Sequence, residues 1–479
     1  MSPDKVLKFA LGPLGLGALG FISVPLLSWF FTPSDIGVLA TLQLVVGFVL
    51  MVTSLGLDQS YAREYHAVRD RRLLFFRCFL PGLCFLCAGA AALLLIDLSS
   101  VAEFLFGFKD PILVWMVILG CVFGYLARYV SLYYRLAEHA FLFSISQLLP
   151  KVIFILIALF AVFLGAGFEY LGLTGSYVGG LVSVAIFFLL VRPPRQKVIK
   201  RESGKEPGEN FLDLVQYAIP LLFSGLGAWA LKSIDRVALR SLSTLDELGI
   251  YSVAVTIAGG AALFASIFNI VWAPYVYKMA AIDIDKGKIA LAGNIVEFFV
   301  FILLCLVGIA SPFMPFFLPE QYALVGALIP LCVFVPLVYS LSEAVTIGIN
   351  LSKKTACAMY ATLIAFVACA SLNYLLVGRF GAIGAAVGTA TAFVVYFIVR
   401  FEFARKVWDV LPRKRVYFVV LIALCIAVAQ VGLVERENYV RSSIWLACLF
   451  LGVLLYRAEM SFIRGYFLSL PRLRFKGEK

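Results

Sequence analysis

The chain reads as an all-α polytopic membrane protein of about 14 transmembrane helices. It is built of two parallel six-helix repeats, with two further helices appended at the C-terminus. Three observations predict this. The 479 residues are 62% hydrophobic and 14% charged, with mean hydropathy +0.99, whereas soluble domains run at about 45–50% apolar and about 25% charged. The apolar residues gather in runs of roughly 20, the length that crosses a hydrocarbon core of about 30 Å. The chain also repeats itself. Shifted by 212 positions, 9–39 lies on 221–251 without a gap, bringing Gly15 onto Gly227, Ala18 onto Ala230, Leu19 onto Leu231, Asp35 onto Glu247 and Gly37 onto Gly249.

Taken in order, spans are expected at about 9–31, 36–57, 73–96, 112–134, 141–164, 170–191, 211–242, 248–272, 288–310, 322–345, 355–377, 381–402, 416–433 and 441–457. The first follows Lys5 and Lys8 and continues to Phe31, too long for the apolar core of a cleavable signal peptide. With the N-terminus inside, most of the 40 Lys and Arg fall in cytoplasmic segments, and the outer connections keep only Lys109, Arg240, Arg379, Arg436 and Arg441. That is the positive-inside bias, which puts both termini in the cytoplasm. The formal charge of +12 therefore reflects topology, not a nucleic-acid partner.

Residues 192–210 are rich in charge, Pro and Gly and read as a solvated linker. A second register at offset 209 lays Gly172, Gly175 and Gly179 on Gly381, Gly384 and Gly388. Six spans per copy is an even number, so both copies enter from the same side and are related by an axis along the membrane normal. The expected division is a lobe at 1–191, the linker at 192–210, a second lobe at 211–410, and the appended helices with a basic tail at 411–479.

Catalytic and metal chemistry find little to work with, and neither a cofactor nor a metal site is expected. The two histidines, His66 and His139, fall in predicted cytoplasmic loops. Asp283-Ile284-Asp285 has DxD spacing but sits in a short connection beside Lys286 and Lys288, where a solvated turn is the simpler reading. A membrane glycosyltransferase or polymerase would need acidic residues in an outer loop, and Asp97, Glu103 and Asp110 are the candidates. Cys84 and Cys87 have CxxC spacing inside an apolar span and read as buried small hydrophobes. The glycines at 12, 15 and 17 and at 381, 384 and 388 sit in apolar spans, where they let helices approach closely.

The repeat is polarised by charge. Where the first copy has Gly20 to Val24, the second has Lys232, Asp235 and Arg236, at i, i+3 and i+4 and hence on one helix face. Two readings compete: cations that snorkel to the outer interface, and a net-positive site inside a cavity that suits a phosphate or diphosphate. Arg128 and Lys151 are further candidates for the same cavity. Glu297 and Glu343 are candidates for coupling to a proton or ion, since carboxylates within membranes serve such relays. Pro220 removes a helical hydrogen bond from span seven and is a candidate hinge.

Gly56-Leu57-Asp58 with Arg63, Ala218-Ile219-Pro220-Leu221, Ser233-Ile234-Asp235-Arg236, Leu248-Gly249-Ile250-Tyr251-Ser252, Val271-Trp272-Ala273-Pro274 and Phe380-Gly381-Ala382-Ile383-Gly384 occur in an order that resembles one family. It is that of the polysaccharide-transport (Wzx-type) flippases of the multidrug/oligosaccharidyl-lipid/polysaccharide exporter superfamily. The resemblance covers the whole chain, with Asp58, Arg63, Pro220 and Gly249 as its motif positions. It implies a bacterial inner-membrane flippase whose two six-helix repeats are lobes around a central cavity, not an enzyme. Such a protein carries an undecaprenyl-diphosphate-linked oligosaccharide, a repeat unit of O-antigen, capsule or exopolysaccharide, from the cytoplasmic to the periplasmic leaflet. Alternating access and ion coupling are the expected mechanism, and polysaccharide polymerase or export proteins are candidate partners. The alternatives are a lipid II or teichuronic-type exporter, then a multidrug exporter of the same superfamily, then a membrane glycosyltransferase or polymerase.

Overall fold

A computed structural model describes residues 3–68, 70–163, 169–191, 210–282, 286–351, 355–406, 413–433 and 438–457. The Asp283–Asp285 pair and nearly all of the 192–210 linker lie outside the described residues. Every described element is helical, and the contacts divide the chain into two compact units, Met1–Thr256 and Ile257–Lys479.

The first unit holds α1 (Pro3–Ser28), α2 (Pro33–Thr53), α3 (Leu57–Glu64), α4 (Arg71–Leu94), α5 (Leu98–Phe106), α6 (Pro111–Leu136), α7 (Ala140–Phe163), α8 (Tyr170–Leu190), α9 (Phe211–Leu242) and the start of α10 (Leu245–Ile282). The second holds α11 (Lys286–Ala310), α12 (Val325–Leu351), α13 (Thr355–Arg405), α14 (Arg413–Gly432) and α15 (Asn438–Leu455). Eleven described helices are long and apolar enough to cross a membrane. One of them, α13, carries two expected spans on either side of Gly381, whose φ of 51° and ψ of −129° break the helix. With α1 and α10, each expected span falls on a helix.

Two short helices were not foreseen. The expected span 36–57 ends early, because Leu55 and Gly56 take φ of 51° and 69° and turn the chain into α3. The connection after α4 winds into α5, opened by Asp97 and closed by Gly107 at φ 85°.

Helix starts follow the side chains that precede them. Thr32 and Asp35 form a reciprocal capping box at α2: Thr32 N–H donates to Asp35 Oδ2 at 2.9 Å and Asp35 N–H to Thr32 Oγ1 at 3.3 Å. At the repeat-related place, Glu247 N–H donates to Thr244 Oγ1 at 3.3 Å. The match of Asp35 with Glu247 is thus a match of helix-starting devices.

In the first unit α7 packs on α1 and α8, and α2 lies against α6, α8 and α9. In the turn before Pro81 of α4, the carbonyls of Phe79 and Cys78 accept from the Tyr125 and Tyr129 hydroxyls, each at 2.8 Å, so both buried hydroxyls are satisfied. No water is at hand within a bilayer to do this. Contrary to the sequence reading, Cys84 and Cys87 are exposed. They share the exposed face of α4 with Leu80 and Phe85, where a small apolar thiol suits lipid as well as a core does.

In the second unit the two appended helices are fixed at both ends. Tyr456 donates to Glu297 of α11 at 2.7 Å, and the Arg415 guanidinium lies 4.1 Å from the Tyr456 ring centroid. At the other end Gln430 donates to Ser311 at 2.9 Å and accepts from the Trp445 indole.

The repeat-related glycines Gly37 and Gly249 touch. A Cβ on Gly249 would run into the Pro33 carbonyl, and one on Gly37 into the Leu245 carbonyl. A Cβ on Gly227 would meet nothing within 4 Å. Gly249→Ala is therefore expected to lower stability by about 1–3 kcal/mol, the range for overpacking. Gly227→Ala should be neutral or gain up to about 1 kcal/mol. Thermal unfolding of the detergent-purified variants checks this, and equal midpoints for the two would refute the crossing.

Candidate functional site

One set of charges in the first unit lies on α3, α6 and α7. Asp58 opens α3, is buried, and accepts from Arg128 Nη2 of α6 at 2.6 Å and from Gln59 Nε2 at 3.1 Å. The turn at Leu55 and Gly56 aims it there. Gly56 has no alternative at this place, because a Cβ would strike the Ala218 carbonyl of α9. The stretches Gly56-Leu57-Asp58 and Ala218-Ile219-Pro220-Leu221 are thus in contact. Ser60 Oγ adds a bond to the Leu214 carbonyl at 2.8 Å, and the Arg63 guanidinium sits 4.3 Å from the Tyr217 ring centroid. Pro220 itself lies within α9 and is exposed.

Arg128 and Lys151 come to one level. Between antiparallel α6 and α7, Gln147 Nε2 donates to Ser131 Oγ at 2.5 Å. Three residues back from Ser131 is Arg128, and four on from Gln147 is Lys151. Each step is one helical turn, about 5.4 Å, in the same direction. The Lys151 Nζ lies 4.9 Å from the Phe154 ring centroid, and no carboxylate among the described residues pairs with it. Asp58 offsets only Arg128, so with Lys151 the level carries one excess positive charge among the described residues.

The α9 cluster divides. Asp235 is buried and accepts the Tyr251 hydroxyl of α10 at 2.5 Å and the Arg236 N–H at 2.7 Å. Arg236 is half-buried, and among the described residues its Nε has no hydrogen-bond partner. Lys232 is exposed. The expectation that all three share one face is corrected here. Residues three apart are rotated by about 60°, enough to turn Asp235 onto α10 and Lys232 away from it.

In the second unit both candidate coupling carboxylates have cationic neighbours. Glu343 accepts from Arg400 Nη1 at 2.7 Å, and the same nitrogen reaches Ser342 Oγ at 3.0 Å. Arg400 also lies 5.1 Å from the Tyr396 ring centroid. Glu297 is buried beneath Tyr456, with Arg415 Nε at 3.9 Å. Sequence reasoning missed Arg400, which was counted among the cytoplasmic cations, and Tyr251, Tyr456 and Gln147. The available signal was Glu343 itself, since a carboxylate in an apolar span calls for a cation on a neighbouring one.

The acidic residues weighed for enzyme chemistry have structural partners. Asp97 caps α5, and the Ser100 hydroxyl with the Ser99 and Ser100 N–H groups holds its carboxyl below the usual carboxylate range. Asp110 caps α6 at Ile112 N–H and accepts the Tyr170 hydroxyl at 3.1 Å. Glu103 pairs with Lys109 at 3.6 Å.

Comparison with known proteins gives the family and the fold. A family model described as "Polysaccharide biosynthesis protein" matches residues 7–280. An uncharacterized membrane protein of Methanocaldococcus jannaschii is 23% identical over 253 residues, which are 51% of this chain and 60% of that protein. The chain therefore spans less than two thirds of that curated relative. Among solved structures, lipid II flippase MurJ in an inward closed conformation superposes with a TM-score of 0.68 at 12% identity, covering 95% of this chain and 100% of that one. A multidrug resistance MATE family transporter of the MOP superfamily, outward-facing, gives a TM-score of 0.47 at 14% identity, over 87% and 96% of the two chains. The likeness to MurJ is one of fold.

Removing Arg128 strands a buried carboxylate. Arg128→Gln is expected to cost about 2–4 kcal/mol, less than a fully buried pair because Arg128 is partly exposed. Asp58→Asn in the same chain should restore much of that loss. A double-mutant cycle on thermal unfolding reads the coupling, and additive effects would dismiss the pair as a stabilising contact.

Proposed function

The chain belongs to the polysaccharide biosynthesis protein family, and from that membership we propose that it is a flippase for an undecaprenyl-diphosphate-linked oligosaccharide. The observation that carries the reading is the excess cation at the level of Arg128 and Lys151. An ionised side chain in the middle of a span costs about 2.5–3.5 kcal/mol on insertion scales, and Lys151 has no carboxylate among the described residues to offset it. A diphosphate supplies the missing charge. Arg236, with an Nε left unpartnered among the described residues, is the second contact in this proposal. Lys232, being exposed, is the weakest of the five proposed substrate-binding residues.

The fold shared with a lipid II flippase supports a lipid-linked diphosphate as the cargo class. A lipid II or teichuronic-type carrier has the same diphosphate and stands as the second reading. In the proposed cycle Glu343 couples transport to an ion, because its carboxylate is partly exposed while its partner Arg400 is buried. Protonating Glu343 would release Arg400 Nη1 from the pair. Glu297 has the weaker claim to that role, being sealed under Tyr456.

The test is transport of a fluorescent undecaprenyl-diphosphate oligosaccharide by the purified protein in proteoliposomes. Lys151→Met and Arg236→Gln should each slow flipping roughly tenfold or more, equivalent to about 1.4 kcal/mol, while Lys151→Arg and Lys232→Ala stay near wild type. Wild-type rates for both Lys151→Met and Arg236→Gln would remove the diphosphate grip from these residues.

A further inference from the structure

A cavity of about 630 Å³ opens in the first unit between α2, α4, α5 and α6, away from the charged hairpin. Phe48, Phe85, Leu93 and Val117 line it, together with Phe104 and Leu105 of α5. Its hydroxyls are already engaged: Thr53 Oγ1 donates to the Val49 carbonyl at 2.8 Å and Ser100 Oγ to Asp97 at 2.7 Å. Such a cavity excludes water and takes hydrocarbon. The lining positions of α6 are its residues nearest Pro111, so the cavity lies in the half of the membrane that the charge bias assigns to the outer leaflet.

One cation is held beside Phe104 and Leu105. Arg240 of α9 donates from Nε to the Leu105 carbonyl at 2.5 Å and from Nη2 to the Phe104 carbonyl at 3.5 Å. These carbonyls belong to the last turn of α5, where a cation is favoured. Arg240 is half-buried, and among the described residues its Nη1 has no hydrogen-bond partner. Lys109, the other cation of this connection, is already paired with Glu103.

We propose that this cavity binds one acyl chain of an anionic phospholipid from the outer leaflet, with its single phosphate on Arg240 Nη1. A lining that is apolar apart from two engaged hydroxyls selects the chain, and one guanidinium with a free donor group matches one phosphate. A diphosphate carrier would leave half of its charge unmatched here. The site is independent of the flipping reaction proposed above.

The experiment uses the full chain in nanodiscs doped with phosphatidylglycerol bearing a diazirine in its acyl chain, with labelled peptides mapped by mass spectrometry. Label is expected in α4 and α5 above the level on the exposed face of α14. Gly89 lines the cavity and a Cβ there would meet nothing within 4 Å. Gly89→Phe should therefore direct its ring into the cavity and cut this labelling roughly fivefold, with Ala90→Leu as a second filling variant and thermal unfolding as the control for folding. Arg240→Gln should abolish the preference for phosphatidylglycerol over a phosphatidylcholine probe of the same chain. Labelling that survives both fillings, that never differs between the headgroups, or that belongs instead to a diazirine polyprenyl diphosphate overturns the proposal.

Discussion

A bilayer offers no hydrogen bonds, so each polar group that enters it must find its partner within the protein. That constraint explains much of this molecule. Tyr125 and Tyr129 turn their hydroxyls onto carbonyls of α4, Asp235 takes the Tyr251 hydroxyl, Asp58 takes Arg128, and Glu343 takes Arg400. Lys151 has no carboxylate among the described residues, and a diphosphate would meet its need.

The fold was legible because its signals are long. A run of roughly 20 apolar residues has few meanings, and a gapless repeat at 212 positions fixes which elements correspond. The structure adds the reason some pairs survive. Asp35 and Glu247 follow equivalent capping threonines, and Gly37 and Gly249 face each other across one crossing. The meeting of Gly56 with Ala218 likewise explains why two motifs far apart in sequence occur together.

The charged site was legible only in part. Helical arithmetic relates Lys232, Asp235 and Arg236 to one another, but Asp235 is claimed by a hydroxyl on the next helix, and no spacing rule within α9 reveals that. The level shared by Arg128 and Lys151 depends on the register between two helices, which one bond from Gln147 to Ser131 sets. Arg400 sits two residues inside the expected end of its span, so composition assigned it to the cytoplasm while packing gave it to Glu343. The exposure of Cys84 and Cys87 was hidden for a similar reason. An apolar face reads the same whether lipid or protein covers it.

The appended helices carry a consequence for how the chain is made. Glu297 is synthesised 159 residues before Tyr456, and Ser311 precedes Gln430 by 119. At about 5–20 residues per second, the ribosome needs roughly 8–30 s to deliver the hydroxyl that Glu297 will accept. During that interval the bond from Tyr456 to Glu297 of α11 does not yet exist. α14 and α15 are therefore the keystone of the second unit in time as well as in space, and its assembly waits for both.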